Sequence, residues 1–187
     1  MLNFDDASVE SGSAYLEPGI NEVKTKEITS GVSSQKSTPY VEITVEDKAG
    51  KTANHKYYTS TTVNEGKQKS AWDITKNQLL QITAAVLGVD ADTAKTKMPK
   101  AADTADLASK LSTLLVGKPF AIKLHGEQVI PTDPAKKPWI KAVFGTGTFA
   151  TTIANKSILV YDATKHIKYK EAPPVTNGAV STTTTSW

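Results

Sequence analysis

The sequence contains no cysteine, which excludes disulfide frameworks, cysteine-ligated zinc or metal clusters, and thiol nucleophiles. It contains no arginine either, so all 22 basic residues are lysine. The missing guanidinium groups remove bidentate recognition of carboxylate, phosphate or guanine, and any bound anion must be held by lysines and backbone amides. Sequence-specific reading of a nucleic-acid duplex is therefore not expected.

Long hydrophobic runs are also missing. No apolar stretch reaches the ~18–20 residues that a membrane helix needs, so no membrane association is expected. Residues 1–10 carry acids and no apolar segment, which argues against a secretory signal and favours the cytoplasm. The chain of 187 residues has the length of one domain with additional arms.

What is abundant is threonine, with 25 residues, which favours strands and loops over helices. The net charge of +3 is distributed unevenly. Residues 1–50 are acidic, whereas residues 51–89 and especially 136–170 are basic. Both basic segments contain predicted strands, so folding can bring them to one surface, a pattern typical of nucleic-acid binding as well as of surface lysines that serve solubility.

The first half of the chain has the patterns of three strands. Residues 20–28 are rich in Val, Ile and Thr, and residues 40–46 alternate strictly, with Val41, Ile43 and Val45 on one side. The segment 47–50 has the composition of a hairpin turn, and residues 54–62 follow as the partner strand. An antiparallel meander is therefore expected.

Two helices are predicted next. Ser70 and Asp73 have the spacing of a capping box and open a helix to about Leu87, with Gly88 as its stop. A leucine stripe predicts a second helix over 103–116, and the polar segment 89–101 between them is expected to be a loop.

Strands return after the helices. Residues 119–125 alternate, and residues 139–153 predict one long strand kinked at Gly145 and Gly147. Residues 157–161 and 167–169 are short strand candidates.

This order predicts a mainly β protein, a five-stranded Greek-key barrel of the OB type with one or two helices between its third and fourth strands. The expected organisation is a flexible arm at 1–14, a domain at 15–170 with a helical insertion at about 70–117, and a disordered tail at 171–187. A sandwich with appended helices is the alternative architecture.

Several local patterns, in their order, resemble the OB-fold single-stranded DNA-binding proteins of phages. They are the leader YLEPG at 15–19, the strand PYVEITV at 39–45, the helix QLLQITAAVLGV at 78–89, and LLVGKPFAIKL at 114–124. The resemblance covers roughly residues 14–153. It implies single-stranded DNA as the partner, a role in phage DNA replication or recombination, and the host cytoplasm as the location.

The resemblance also implies a carboxy-terminal tail that recruits replication or recombination proteins through acids and a terminal aromatic residue. Here the tail ends in Trp187 but carries a single acid, Glu171. Trp187 is accordingly the candidate partner-binding residue, and the missing acids are a departure from the family pattern.

Aromatic residues beside lysines on strands are the main candidate site, since each base offers a face to an aromatic ring while ammonium groups neutralise phosphates. If Ile140 and Phe144 fill the barrel, Trp139 and Lys141 point outward; the alternative is that Trp139 packs under the 126–138 loop. At least one of Tyr57 and Tyr58 is expected to face outward, and either can instead belong to the core. The candidate DNA-binding residues are Lys51, Lys56, Tyr57, Tyr58, Lys123, Lys136, Lys137, Trp139 and Lys141.

Other chemistry finds little support in the residues. His55, His125 and His166 lack the spacing of a helical metal pair, so no metal is expected, and no cofactor motif is present. Without a serine elbow or paired carboxylates, no catalytic activity is expected. Trp72, at the start of a helix, is interpreted as a packing anchor. A phage structural or assembly protein is the alternative function, and a carbohydrate- or peptide-binding barrel is a third.

Overall fold

The computed structural model describes residues 14–63, 65–133 and 135–170. These residues form a mainly antiparallel sheet with helices inserted between its third and fourth strands, which confirms the mainly β class. The strands are β1 (Gly19–Val32), β2 (Pro39–Glu46), β3 (Thr52–Tyr58), β4 (Pro119–Val129), β5 (Trp139–Phe144), β6 (Ala150–Thr151) and β7 (Ile167–Lys168). The helices are α1 (Ala71–Leu87), α2 (Ala91–Lys97), α3 (Thr104–Leu115) and α4 (Ala163–His166), with a 3₁₀ helix at Lys156–Ile158.

The main strands follow the order β3-β2-β1-β4-β5, and β6 and β7 each pair with β4. The long strand β1 has two partners. Its carboxy-terminal part pairs with β2 from Lys24 to Val32, and its amino-terminal part pairs with β4 from Gly19 to Lys24. A bulge between Thr25 and Glu27 lies close to the change of partner. Because bulges bend a strand and increase its twist, this one lets a single strand serve both halves of the sheet.

Strands β3 and β5, the two ends of this strand order, approach each other, but no hydrogen-bonded ladder joins their backbones in the described part of the sheet. The His55 ring of β3 stacks on the Phe144 ring of β5, with 5.4 Å between the ring centroids. Tyr57 contacts Phe144 edge to face at 6.3 Å. The sheet is therefore curved so far that its first and last strands meet through side chains, although it is not closed by hydrogen bonds between them.

Strict alternation produces the core of the sheet. Val41, Ile43 and Val45 on β2 are fully buried, as are Phe120, Ile122 and Leu124 on β4. Helices α1 and α3 cover this inner face with Leu79, Ile82, Leu111 and Leu115. Both predicted helices and the common side predicted for Val41, Ile43 and Val45 are thus confirmed.

The capping box of α1 is present as predicted. The Ser70 hydroxyl accepts from the Asp73 backbone N–H, and the Asp73 carboxylate accepts from the Ser70 backbone N–H at 3.1 Å. Hydrogen bonds from Lys76 and Ser70 lower the pKa of Asp73 to about 2. Gly88 ends the helix in the left-handed conformation, with φ of 66°, as a helix stop requires.

Three local predictions were wrong. The expected loop at 89–101 contains the short helix α2, because the Asp90 side chain caps it by accepting from the Thr93 backbone N–H at 2.7 Å. The expected long strand 139–153 breaks after Phe144: a Cβ at Gly145 would lie 2.7 Å from the Lys123 carbonyl oxygen, and β6 starts only at Ala150. Residues 156–158 form a 3₁₀ helix where a strand was expected.

In the described residues no helix is both long and apolar enough to cross a membrane. Of the expected arm at 1–14, only Ala14 is described, and its carbonyl oxygen accepts a hydrogen bond of 3.0 Å from the Thr52 backbone N–H. Residues 1–13 and the expected tail at 171–187, including Trp187, lie outside the described residues.

Candidate nucleic-acid interface

The outer face of the β2–β3 hairpin carries two tyrosines directly opposite each other. The register pairs Tyr40 with Tyr58 and Glu42 with Lys56. Tyr58 is 38% exposed, and its ring meets that of Tyr40 edge to face at 6.0 Å between centroids. These two residues point outward because their neighbours Val41 and Tyr57 point into the core.

Lys56 completes this group. Its Nζ lies over the Tyr40 ring, 4.4 Å from the centroid. Interaction with the Tyr40 hydroxyl raises the pKa of the Lys56 ammonium above its ordinary value of 10.5, so the lysine is charged at neutral pH. We call Tyr40, Lys56 and Tyr58 the tyrosine face; it combines two aromatic rings with one cation on a single surface.

Gly31 of β1 lies beneath the Tyr40 ring. The register places it opposite Tyr40, and a Cβ built at Gly31 would be 2.6 Å from the Tyr40 hydroxyl oxygen. Since real Cβ atoms do not approach so closely, only glycine at this position lets the ring lie across the strand. Gly31 therefore sets the position of Tyr40.

A groove of about 830 Å³ adjoins the tyrosine face. One wall is the β1–β2 loop at 33–38, with Lys36, and the other is the segment that follows β3, with Ser60 and Thr62. Tyr40, Lys56 and Tyr58 line the groove as well. Its lining thus offers aromatic rings, hydroxyl groups and two lysines.

Two carboxylates on the outer side of β2, the side of Tyr40, contact polar side chains of neighbouring strands. Glu42 accepts a hydrogen bond of 2.6 Å from the Asn54 amide. Glu46 lies 3.1 Å from Lys24 Nζ and 3.3 Å from Lys26 Nζ, and these lysines lower its pKa. The charge of Glu46 is therefore offset by two lysines, whereas Glu42 is hydrogen-bonded and keeps its charge.

A second exposed group surrounds the start of β5. Trp139 is 50% exposed, and Lys141 is exposed on the same face, while Phe144 is buried. Lys136 and Lys137 are exposed in the loop just before Trp139. We call Lys136, Lys137, Trp139 and Lys141 the tryptophan face. The exposure of Trp139 contradicts the alternative in which it packs under the preceding loop.

Three other candidate residues lie elsewhere. Tyr57 is 1% exposed and packs against His55 with 4.7 Å between ring centroids; burial raises the pKa of its hydroxyl. It therefore belongs to the core, and Tyr58 is the outward tyrosine.

Lys123 is only 9% exposed on the central strand β4. Lys51 lies before the first residue of β3, at the opposite end from Tyr58, and its Nζ is 3.7 Å from Glu17.

The structure thus brings Lys56 and Tyr58 together, and separately Trp139 and the three lysines near it in sequence. No ring contact joins Trp139 to either outward tyrosine among residues 14–63, 65–133 and 135–170. The strands of the two faces adjoin, since Phe144 of β5 stacks on His55 of β3 with 5.4 Å between ring centroids. Burial, and then the charge of Lys141, lower the pKa of His55.

Tyr40 was not among the candidate residues. Part of the signal that identifies it was present, because the alternation of β2 places Tyr40 outward. The partner was not predictable from the expected turn at 47–50, which would pair Tyr40 with Tyr57; the observed connection at 47–51 is one residue longer and pairs Tyr40 with Tyr58.

Within the described ranges no group of three or more histidine, aspartate or glutamate side chains could hold a metal ion. Trp72 is half-buried and packs against the core, as interpreted from its position. The chain matches no model of a known protein family, and no curated protein sequence matches it significantly.

Proposed function

We propose that this protein is a non-catalytic, largely sequence-independent single-stranded DNA-binding protein that acts in phage DNA replication or recombination. The observation that carries the proposal is the tyrosine face, where two outward rings and a lysine lie beside a groove. Single strands bind such surfaces because unpaired bases stack on aromatic rings while ammonium groups neutralise the phosphates.

We further propose that the sheet is an OB-type barrel. The strand order β3-β2-β1-β4-β5 and the approach of β3 to β5 through His55 and Phe144 support this architecture, since the OB-fold is a partly open five-stranded barrel. Oligonucleotides bind OB-folds on the face of strands 2 and 3 and on the loops between strands 1 and 2 and strands 4 and 5. In this chain those regions hold the tyrosine face, Lys36, and Lys136 and Lys137 of the tryptophan face.

The absence of arginine supports sequence independence. Lysine is a point charge without the planar fork that reads guanine. Stacking distinguishes paired from unpaired bases, because the faces of bases within a duplex are already covered by their neighbours. The expected ligand is therefore any accessible single strand, including strands displaced during replication.

The test is a comparison of oligothymidylate and duplex of equal length by fluorescence anisotropy. The wild-type protein is expected to prefer the single strand, with an affinity that falls steeply between about 50 and 200 mM salt. Tyr58→Ala should weaken single-strand binding by about 1–3 kcal/mol, while Ile74→Ala, at a 54% exposed position on α1, should leave it unchanged. Equal affinity for duplex and single strand, or no binding of either, would contradict the proposal and favour a structural or assembly protein.

A further inference from the structure

Strand β7 places a lysine on the same outer surface as the tryptophan face. The register pairs Lys168 of β7 with Glu127 of β4, and Glu127 with Lys141 of β5. Residues paired across neighbouring strands point to the same side of a sheet. Lys168, Glu127 and Lys141 thus form one row across three strands.

Lys170 extends this row at the end of β7. Its Nζ lies 3.8 Å from Glu127 Oε1, and its backbone N–H donates to the Gln128 side chain at 3.1 Å. Trp139 lies next to this position, since it pairs with Val129 of β4. The surface therefore gathers three exposed lysines and a half-exposed tryptophan around a single carboxylate.

The segment that carries Lys168 and Lys170 lies across β4. It leaves the pair of β6 with β4 at Ala121 and Ile122 and returns to β4 as β7 at Gly126 and Glu127. In between, His166 stacks on His125 of β4 with 4.5 Å between ring centroids, and Tyr161 stacks on His166 at 5.4 Å. The Asp162 backbone N–H donates to His166 Nδ1 at 2.8 Å. This packing fixes Lys168 and Lys170 beside the tryptophan face.

We propose that a bound single strand runs over the outer face of β7, β4 and β5, where Lys168 and Lys170 bind its phosphates beside a base stacked on Trp139. The inference rests on the proposed function and extends its site to residues that no sequence motif indicates. The path continues toward the tyrosine face, because β5 adjoins β3, the strand of Lys56 and Tyr58, through the stack of Phe144 on His55 with 5.4 Å between ring centroids.

The test is the salt dependence of oligothymidylate binding by the full chain. Each phosphate contact on a single strand contributes about 0.7 to the slope of log K against log salt, so Lys168→Gln with Lys170→Gln should reduce the slope by about 1.4. The matched control is Lys95→Gln with Lys97→Gln, which removes two exposed lysines from the last turn of α2 and should leave the slope unchanged. Lys168→Arg with Lys170→Arg keeps both charges and should retain the wild-type slope.

The outcomes separate the two proposals. A wild-type slope in the glutamine pair, with single-strand binding intact, overturns the extended path alone. An equal loss in the control pair also overturns it, because the effect would then follow net charge. If the wild-type protein binds no oligothymidylate, the proposed function and this inference both fail. Circular dichroism melting of the glutamine pair checks its fold, and should it be unfolded, Lys170→Gln alone is expected to reduce the slope by about 0.7.

Discussion

His55 and Phe144 stack nearly in parallel, with 17° between their ring planes and 5.4 Å between centroids. One residue belongs to β3 and the other to β5, the two ends of the hydrogen-bonded strand order. The contact therefore joins the edges of a sheet that the backbone leaves open there. Burial, followed by the charge of Lys141, lowers the pKa of His55 below its ordinary value of 6.5. The contact between β3 and β5 is therefore expected to weaken when acid protonates His55.

The stability of the protein is expected to fall as the pH drops below about 6.5. A histidine whose folded pKa is lowered binds fewer protons in the folded than in the unfolded state, so its stabilising effect is complete above the unfolded pKa and is lost as the pH decreases toward the folded value. His55→Phe keeps an aromatic ring in contact with Phe144 and removes the titrating group. Thermal melting between pH 7 and pH 5 should show a smaller loss for this variant than for the wild-type protein.

His125 supplies a second contribution of the same sign. Its pKa is lowered by burial first, and then by the charges of His166, Lys123 and Lys168. His55→Phe should therefore retain part of the pH dependence, and combining it with His125→Asn should reduce that dependence further. A full wild-type pH dependence in His55→Phe would contradict the role assigned to His55.

Mutations of Tyr57 should change the stability of the fold, whereas mutation of Tyr58 should change single-strand binding. Tyr57 is fully buried and its hydroxyl has no hydrogen-bond partner among the described residues. Tyr57→Phe should consequently leave stability unchanged or raise it by up to about 1 kcal/mol, whereas Tyr57→Ala should reduce it by about 3–5 kcal/mol. Tyr58→Ala should change stability little and weaken single-strand binding. Chemical denaturation and anisotropy measure the two effects, and a destabilised Tyr57→Phe would show that its hydroxyl is hydrogen-bonded.

Gly31→Ala should affect binding more than folding. The added Cβ meets the far end of the Tyr40 side chain, which can rotate away while the strand keeps its backbone. Tyr40 would then leave its place beside Lys56 and Tyr58, and single-strand affinity should fall toward that of Tyr40→Ala. Melting and anisotropy should be compared for Gly31→Ala, Tyr40→Ala and their combination. Additive losses in the double variant would contradict the coupling of Gly31 to Tyr40.

Trp139→Ala should weaken single-strand binding by about 1–3 kcal/mol and leave the salt slope nearly intact, because stacking involves no counterion release. The ring is half-exposed, so its removal should change the melting temperature only slightly. Binding should also quench tryptophan fluorescence in the wild-type protein, and the quenching should decrease in the variant. Quenching that is unchanged in the variant would show that Trp139 does not stack on a base.

The alternation of strand residues and the capping signals of helices made much of the fold predictable. Val41, Ile43 and Val45 revealed the inner face of β2, and Ser70 with Asp73 marked the start of α1, because these signals act between residues close in sequence. The same signals could not predict that β7 lies on β4, since its two residues have no periodicity. Only the packing of His166 on His125 fixes that contact.

The candidate site was predictable to the same extent. Trp139 and Lys141 were placed outward correctly, as their strand alternates regularly. Tyr57 and Tyr58 could not be told apart, because adjacent tyrosines offer the same apolar ring to either face. Lys123 was misleading, since β4 is a central strand whose outer side is partly covered by the segment that carries His166.

The division of β1 between two partners has a consequence for the order of folding. Its carboxy-terminal part joins β2 and β3 through the short turns at 33–38 and 47–51, whereas its amino-terminal part joins β4, whose residues lie about a hundred positions away in the chain. Closing the larger loop loses more chain entropy, and non-local strand pairing is slow. The β1–β2–β3 meander should therefore acquire protection from hydrogen exchange during refolding before β4 and β5 do, so that the tyrosine face forms earlier than the tryptophan face.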